Sequence, residues 1–428
     1  MWKEVGAAHL DLTPWIRPGD TVVWTQGTGE PLTLTETMVR QRHAIGGFRA
    51  FLGTNYSKTV RPEHADTMSF IGMGAIGNNR AFCKAGLVDI VPCHLSDLPR
   101  LFERGIIKAD VMLVQLSPER DGRFSFGAVS MYVSAAMANA RVIIAEVNER
   151  APWTFASTPV DASRIDVVVR TSRPLIEIPS RSPNQLDEAI ARHVVPFVPD
   201  GAVLQIGIGA LPNAVLSGLR GHRDLGIHSG IIGDGVIDLI ESGVVTNASK
   251  PFDAGVSVTG AMFGTERLYA LAHRNPRLRV EPVGYTHDPA RVSRFESFIT
   301  INSAVEVDLT GQINGETAGR EYLGTIGGQT DFIRGALASP KGRSIIALPT
   351  TVESKGNGTG ASRIVAQIGA GVTTTARADA DVVATEFGAA ELRGRTIRER
   401  VRAMIAIAHP MHREALEREA RNLVAGYA

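Results

Sequence analysis

The stretch VLQIGIGALPNAVLSGL, Val203–Leu219, decides the fold. Val203–Ile206 is a short apolar run, Gly207, Ile208 and Gly209 form a turn, and Pro212 stands where the first turn of a helix running to Leu219 should begin. The order is strand, glycine loop, helix start. Such a junction leaves backbone N–H groups unpaired at the positive end of a helix, where they can hold a phosphate or the oxyanion of a thioester carbonyl under attack. Read locally, it is also what any βα turn looks like.

Similar short apolar runs recur on both sides of it: Thr21–Trp24, Val111–Leu116, Arg141–Glu146 and Ile165–Val169 before, Ile345–Leu348 and Val382–Ala384 after. Runs of this kind, alternating with helix-like stretches, are the signature of parallel strands covered on both faces. Both halves of the chain therefore read as open, mostly parallel α/β sheets. A chain of 428 residues exceeds what one core supports and fits two domains of about 200 residues. Pro174, Pro179 and Pro183 punctuate a Ser/Arg-rich stretch from Thr171 to Asn184, and a helix-like segment, Gln185–Val195, begins directly after it. These features predict an N-terminal domain of residues 1–184 and a C-terminal domain of residues 185–428. The halves share a topology in this reading without a visible sequence repeat.

Lys+Arg number 45 against 44 Asp+Glu, so no global field draws in nucleic acid or an anionic membrane, and an anionic ligand must be held locally. Cys83 and Cys93 have no histidine cluster at metal-ligand spacing beside them, and they read as reduced core thiols with no metal site. The first twenty residues interrupt every apolar stretch with charge or proline, unlike a secretory signal. A cytoplasmic location is expected.

Further candidates follow from position. Glu30, in Gly27-Thr28-Gly29-Glu30-Pro31, directly follows the strand Thr21–Trp24, at the end where α/β sheets place ligands, and can act as a general base or contact an acyl group. It can equally complement a helix dipole. Met73 and Phe82 are candidates for an acyl pocket, or core residues, and Asn78 and Asn79 are turn residues within reach of a substrate. Gly324, Gly327 and Gly328 fall within five positions and let the backbone approach a ligand, with Gln329 as a hydrogen-bond donor. Glu316 lies shortly before that loop.

Five blocks, Ala109–Gly127, Ala140–Phe155, Leu204–Leu219, Gly324–Ala336 and Ala384–Pro410, resemble in order and spacing the landmarks of the acetyl-CoA hydrolase and 4-hydroxybutyrate CoA-transferase family. The resemblance implies two domains of the class I CoA-transferase type with the active site between them. It also implies acyl-CoA and a small carboxylic acid as substrates, coenzyme A as the leaving or accepting group, and homo-oligomers. It identifies Gly207, Ile208 and Gly209 with the family's mobile glycine loop, and Gly324–Gln329 with its CoA-contacting GGQ loop. In that family a glutamate attacks the thioester and carries the acyl group, then CoA, as covalent intermediates.

Here the chain departs from the pattern. The family glutamate follows I-H-T; this chain has Ile227-His228-Ser229-Gly230, and glycine has no side chain to form an anhydride. Three readings follow. Water, activated by Glu30, His228 or Glu316 with Ser229 as a possible holder of water or substrate, replaces the glutamate and the enzyme is a thioester hydrolase. Alternatively a relocated glutamate carries out transfer, or the chain binds acyl-CoA without turnover. Asp234 is expected to cap or brace the helix after it.

Overall fold

The computed structural model describes residues 2–352, 360–369 and 371–424. The chain forms two compact units that are not contiguous in sequence: Met1–Pro179 with Ser229–Asp234 and Val256–His287, and Ser180–His228 with Gly235–Gly255 and Asp288–Ala428. The first change of unit falls between Pro179 and Ser180, inside the proline-punctuated stretch.

The first unit begins with strands β1 (Lys3–Glu4), β2 (Thr21–Trp24), β3 (Phe48–Leu52), β4 (Met68–Gly72), β5 (Val88–Ile90), β6 (Val111–Leu116), β7 (Val142–Asn148) and β8 (Val167–Thr171). Helices α1 (Leu32–Ile45), α2 (Asn79–Lys84), α3 (Leu98–Glu103) and α4 (Val133–Asn139) connect them. The sheet order is β1-β8-β7-β6-β2-β3-β4-β5 and every pairing is parallel. After the short edge strand β1, the chain lays down β2, steps outward through β3, β4 and β5, and returns to the other flank of β2 with β6. All residues of β6 and β7 are buried, which is why both read as mostly apolar runs, broken only by the buried Gln115, Glu146 and Asn148. Trp24, Leu34, Phe48, Phe70, Leu113 and Ile144 are part of the core of this unit.

The second unit opens with α5 (Gln185–Val194), whose Asn184 Oδ1 accepts the Asp187 N–H at 2.9 Å while Asp187 reaches back to the Asn184 N–H, a reciprocal cap. Next come β9 (Val203–Ile206), α6 (Ala210–Gly218), β10 (Gly226–Ile232) and α7 (Gly235–Glu241). The chain passes to the first unit between His228 and Ser229, and again for β11 (Ser257–Met262), α8 (Glu266–Ala272), β12 (Leu278–Val280) and α9 (Val283–Thr286). It returns with α10 (Pro289–Val292), β13 (Phe298–Asn302), β14 (Glu306–Asp308), β15 (Ile313–Asn314), β16 (Thr317–Ala318), β17 (Glu321–Tyr322) and α11 (Gln329–Ala338). β18 (Arg343–Ala347), β19 (Ile364–Val365), β20 (Val382–Thr385), β21 (Gly388–Glu391), α12 (Ile397–Ala406) and α13 (Pro410–Val424) complete it.

Within the second unit the strands run in the order β10-β9-β13-β18-β20-β21, parallel except for the last pair. The winding repeats that of the first unit: β9 is laid down first, β10 on one flank, and β13, β18 and β20 later on the other. A ladder β15-β14-β19 and the hairpin β16–β17 are added after β13. Every strand expected from the sequence is a strand here, some shifted by one or two residues. Among the described residues no helix is long and apolar enough to cross a membrane.

Candidate active site

In an open parallel sheet, the carboxyl ends of adjacent strands whose connections lead to opposite flanks leave a crevice, and ligands bind there. In the first unit those strands are β2 and β6. The loop after β2 starts at Gly27, with φ +59° and a neighbouring Phe263 ring that a Cβ would approach to 2.5 Å, so only glycine fits. Thr28 Oγ donates to the Met262 carbonyl at 2.7 Å and anchors the loop. Glu30 follows, 3% exposed.

Thr35, one turn into α1, donates its hydroxyl to Glu30 Oε1 at 2.8 Å, while the Ser57 hydroxyl donates to Asn55 Oδ1 at 3.3 Å and, with that of Thr59, favours the ionised carboxyl. These hydroxyls do not replace the lost water. Burial pushes the Glu30 carboxyl up to about 7, against the opposing pull of the Ser57, Thr35 and Thr59 hydroxyls. A cleft of about 510 Å³ opens beside it, with Ser57 and Thr59 in its wall. The loop carrying these hydroxyls is braced: Asn55 Oδ1 accepts the Ser57 N–H at 3.1 Å, Asn78 Nδ2 donates to the Ser57 carbonyl at 2.6 Å, and Asn79 Nδ2 donates to the Gly53 carbonyl. Asn78 and Asn79 thus act as braces of the neighbouring loop.

A second buried carboxylate lies close by in the sequence of contacts. Pro31 offers no side-chain cap to α1, and Glu146 of β7 supplies it, accepting the Thr33 N–H at 2.8 Å and the Thr33 and Thr171 hydroxyls at 2.9 Å each. Burial raises its pKa while these bonds lower it. Arg173 fastens the same corner by a two-pronged ion pair with Glu36, at 2.7 and 2.9 Å.

Gly230 lies buried in β10, its carbonyl 2.9 Å from where a Cβ on Gly260 would be. Ser229 donates its hydroxyl to the Ile231 carbonyl at 2.8 Å. Asp234 Oδ1 accepts the Thr265 N–H at 3.0 Å, so it braces the start of α8, later in the chain than the helix that follows it directly. Met73 is half-buried after β4. Phe82, 1% exposed, packs edge-on to Phe70 with ring centres 4.9 Å apart, in the core of the unit.

In the second unit the corresponding strands are β9 and β13. Gly209, the residue before α6, has φ +120°, and a Cβ on Gly207 or Gly209 would meet no atom within 4 Å. The glycine loop at the carboxyl end of β9 is therefore open, and its conformation excludes other residues at Gly209. Ile208 between them is half-buried. At the end of β13, Asn302 Nδ2 donates to Gln205 Oε1 at 3.1 Å and ties the two strands together.

Glu316 and the Gly324–Gln329 loop are brought together. The Glu316 carbonyl accepts the Leu323 and Gly324 N–H groups at 2.7 and 2.9 Å, and its carboxylate accepts the Thr374 hydroxyl at 2.7 Å. A Cβ on Gly324 would collide with the Gly315 carbonyl oxygen. Gln329 opens α11 and donates to Thr375 Oγ at 3.3 Å, while Gly327 and Gly328 make the turn before it. His228 lies elsewhere in this unit, fully buried, its ring 5.1 Å from that of Phe295 and 6.5 Å from that of Phe252. Among the described residues no group of three His, Cys, Asp or Glu is placed to hold a metal ion.

Sequence reasoning missed Thr35, Ser57 and Thr59 around Glu30, and the Glu146 cap. The segment Asn55–Thr59 becomes readable only once Phe48–Leu52 is known to be the strand beside β2, which places its end next to Glu30.

The model of the acetyl-CoA hydrolase/transferase N-terminal domain matches residues 2–176, and that of the C-terminal domain residues 264–420. A 4-hydroxybutyrate coenzyme A transferase of Clostridium kluyveri is 37% identical over 406 residues, 93% of each chain. Among solved structures, RipA from Yersinia pestis superposes with a TM-score of 0.89 at 34% identity, covering 96% of both chains. A 4-hydroxybutyrate CoA-transferase from Porphyromonas gingivalis gives 0.82 at 32% identity, covering 98% of both.

Proposed function

Because this chain belongs to the acetyl-CoA hydrolase/transferase family, whose members are enzymes acting on CoA thioesters, we propose that it transfers the acyl group of its thioester to water, with Glu30 as the proton carrier. One observation carries the reading: Glu30 is a buried carboxyl at the crevice of the first unit, bonded to the Thr35 hydroxyl and pushed up to about 7 by its burial. Gly230 supports it, because a residue without a side chain leaves no nucleophile where the family pattern has its glutamate. In the proposed reaction Glu30 takes a proton from water as the oxygen attacks the thioester carbon. The tetrahedral intermediate then expels the CoA sulfur, which takes the proton from Glu30, and a carboxylic acid leaves. The open backbone at Gly207–Gly209 suits an oxyanion or phosphate, and Gly324, Gly327, Gly328 and Gln329 suit close approach of CoA.

The test is intact-protein mass after mixing with short acyl-CoAs, together with thiol release with and without acetate. Thiol release in water alone, with no gain of a CoA-sized mass, is expected. The competing reading, transfer to a carboxylate, has the names of the similar chains in its favour. A stoichiometric, hydroxylamine-sensitive CoA adduct on any glutamate would establish it and overturn ours.

A further inference from the structure

The cleft against Glu30 has a charge pattern that its catalytic use does not require. Four charged side chains line it, Glu36, Arg40, Lys58 and Arg61. The single carboxylate among them is engaged bidentately by Arg173, and that guanidinium holds Glu36 below its ordinary pKa, so it stays ionised and paired. Arg40 donates to Thr37 Oγ at 2.9 Å, a neutral partner. Arg61 contacts Glu63 at 3.2 Å, with both side chains more than half exposed, a pairing of little strength. Lys58 is joined to no carboxylate among the described residues. The cleft therefore presents a surplus of positive charge, and Leu32, Val39 and Ile176 add an apolar part to the same wall that Ser57 and Thr59 share.

We propose that this cleft seats the acyl group and selects acyl chains that end in a second carboxylate. The apolar wall takes the methylenes, and Lys58, with Arg40 and Arg61, takes the terminal anion. This assignment rests on the reading of Glu30 as the catalytic carboxyl. A guanidinium or ammonium facing a carboxylate makes a charge-assisted hydrogen bond, and an uncharged methyl terminus offers nothing in exchange for the water it would strip from those cations.

The experiment compares glutaryl-CoA with pentanoyl-CoA, which have acyl chains of the same length, by total thioester consumption with and without acetate. That readout is indifferent to whether water or a carboxylate accepts the acyl group, so a failed hydrolase reading and a failed specificity reading are told apart. We expect kcat/KM to favour glutaryl-CoA at least tenfold at low ionic strength, with the ratio shrinking as salt is added. Lys58→Met and Arg40→Met should each reduce the ratio severalfold, and the double variant should bring it near one. Equal kcat/KM for the two thioesters would overturn the proposal. So would variants that raise KM equally for both, which would assign the cations to the CoA phosphates instead. A circular-dichroism melt of each variant separates these outcomes from misfolding, since both side chains sit at the surface.

Discussion

The two units are wound alike and furnished differently. In each, apart from the short edge strand β1, a central strand is laid first, the next strand falls on one flank, and a later one on the other, which creates a crevice at β2/β6 and at β9/β13. The first unit fills its crevice with a buried carboxyl, Glu30, bonded to the Thr35 hydroxyl. The second leaves its crevice lined by bare backbone, at Gly207 and Gly209, and adds the Glu316–Gly324 turn beyond β13. The winding decides where a ligand can be met. The loops decide what meets it, and they are free to differ because their residues contribute little to either core.

The sharpest way to break this division is to remove the carboxyl. Glu30→Gln keeps the shape and the Thr35 contact but cannot accept a proton, so thiol release should fall roughly 10²–10⁴-fold, while CoA affinity by calorimetry stays as it was. A fall in both would erase the division of labour.

The same variant tests the electrostatics of burial. The folded-state pKa of Glu30 is raised from 4.5 to about 7, so the favourable contribution is complete below about 4.5 and is lost as pH rises through about 7. The wild-type protein should therefore lose stability relative to Glu30→Gln across that window, by about 3 kcal/mol at 1.36 kcal/mol per pH unit. Denaturant unfolding of both proteins at pH 5 and pH 8 measures it, and parallel curves would contradict the burial argument.

On the other side, Gly209→Val forces a β-branched residue to φ +120°, at a cost of about 1–3 kcal/mol. CoA affinity should fall with it, and the pH dependence of the second prediction should remain. Thr35→Val is the finest probe. Losing the donated hydroxyl removes a term that stabilises the carboxylate, so the acid limb of the pH–rate profile should move upward from about 7 with a severalfold loss at neutral pH. A profile that does not move would mean that Thr35 serves only packing.

Much of this was readable in the chain itself. Val111–Leu116 and Val203–Ile206 are strands because mostly apolar runs, each with a single glutamine, are buried on both faces, and Asn184 with Asp187 announces α5 by local capping chemistry. Glu30, Gly207 and Gly209 were legible as candidates because a strand's carboxyl end followed by glycine is a local pattern. What the tertiary structure decided is everything that rests on contacts between distant segments. Strand β3, with Arg49 exposed at its second position, and short strands such as β5 and β12 carry too weak a pattern to be read alone, so their order in the sheet, and with it the approach of Ser57 and Thr59 to Glu30, was hidden. Glu146 caps a helix more than a hundred residues away, and β11 and β12 return to the first unit long after the chain has left it. Burial, which sets the proton affinity of Glu30, is likewise a property of the folded neighbourhood, because desolvation depends on which atoms displace water and not on the residues next in line.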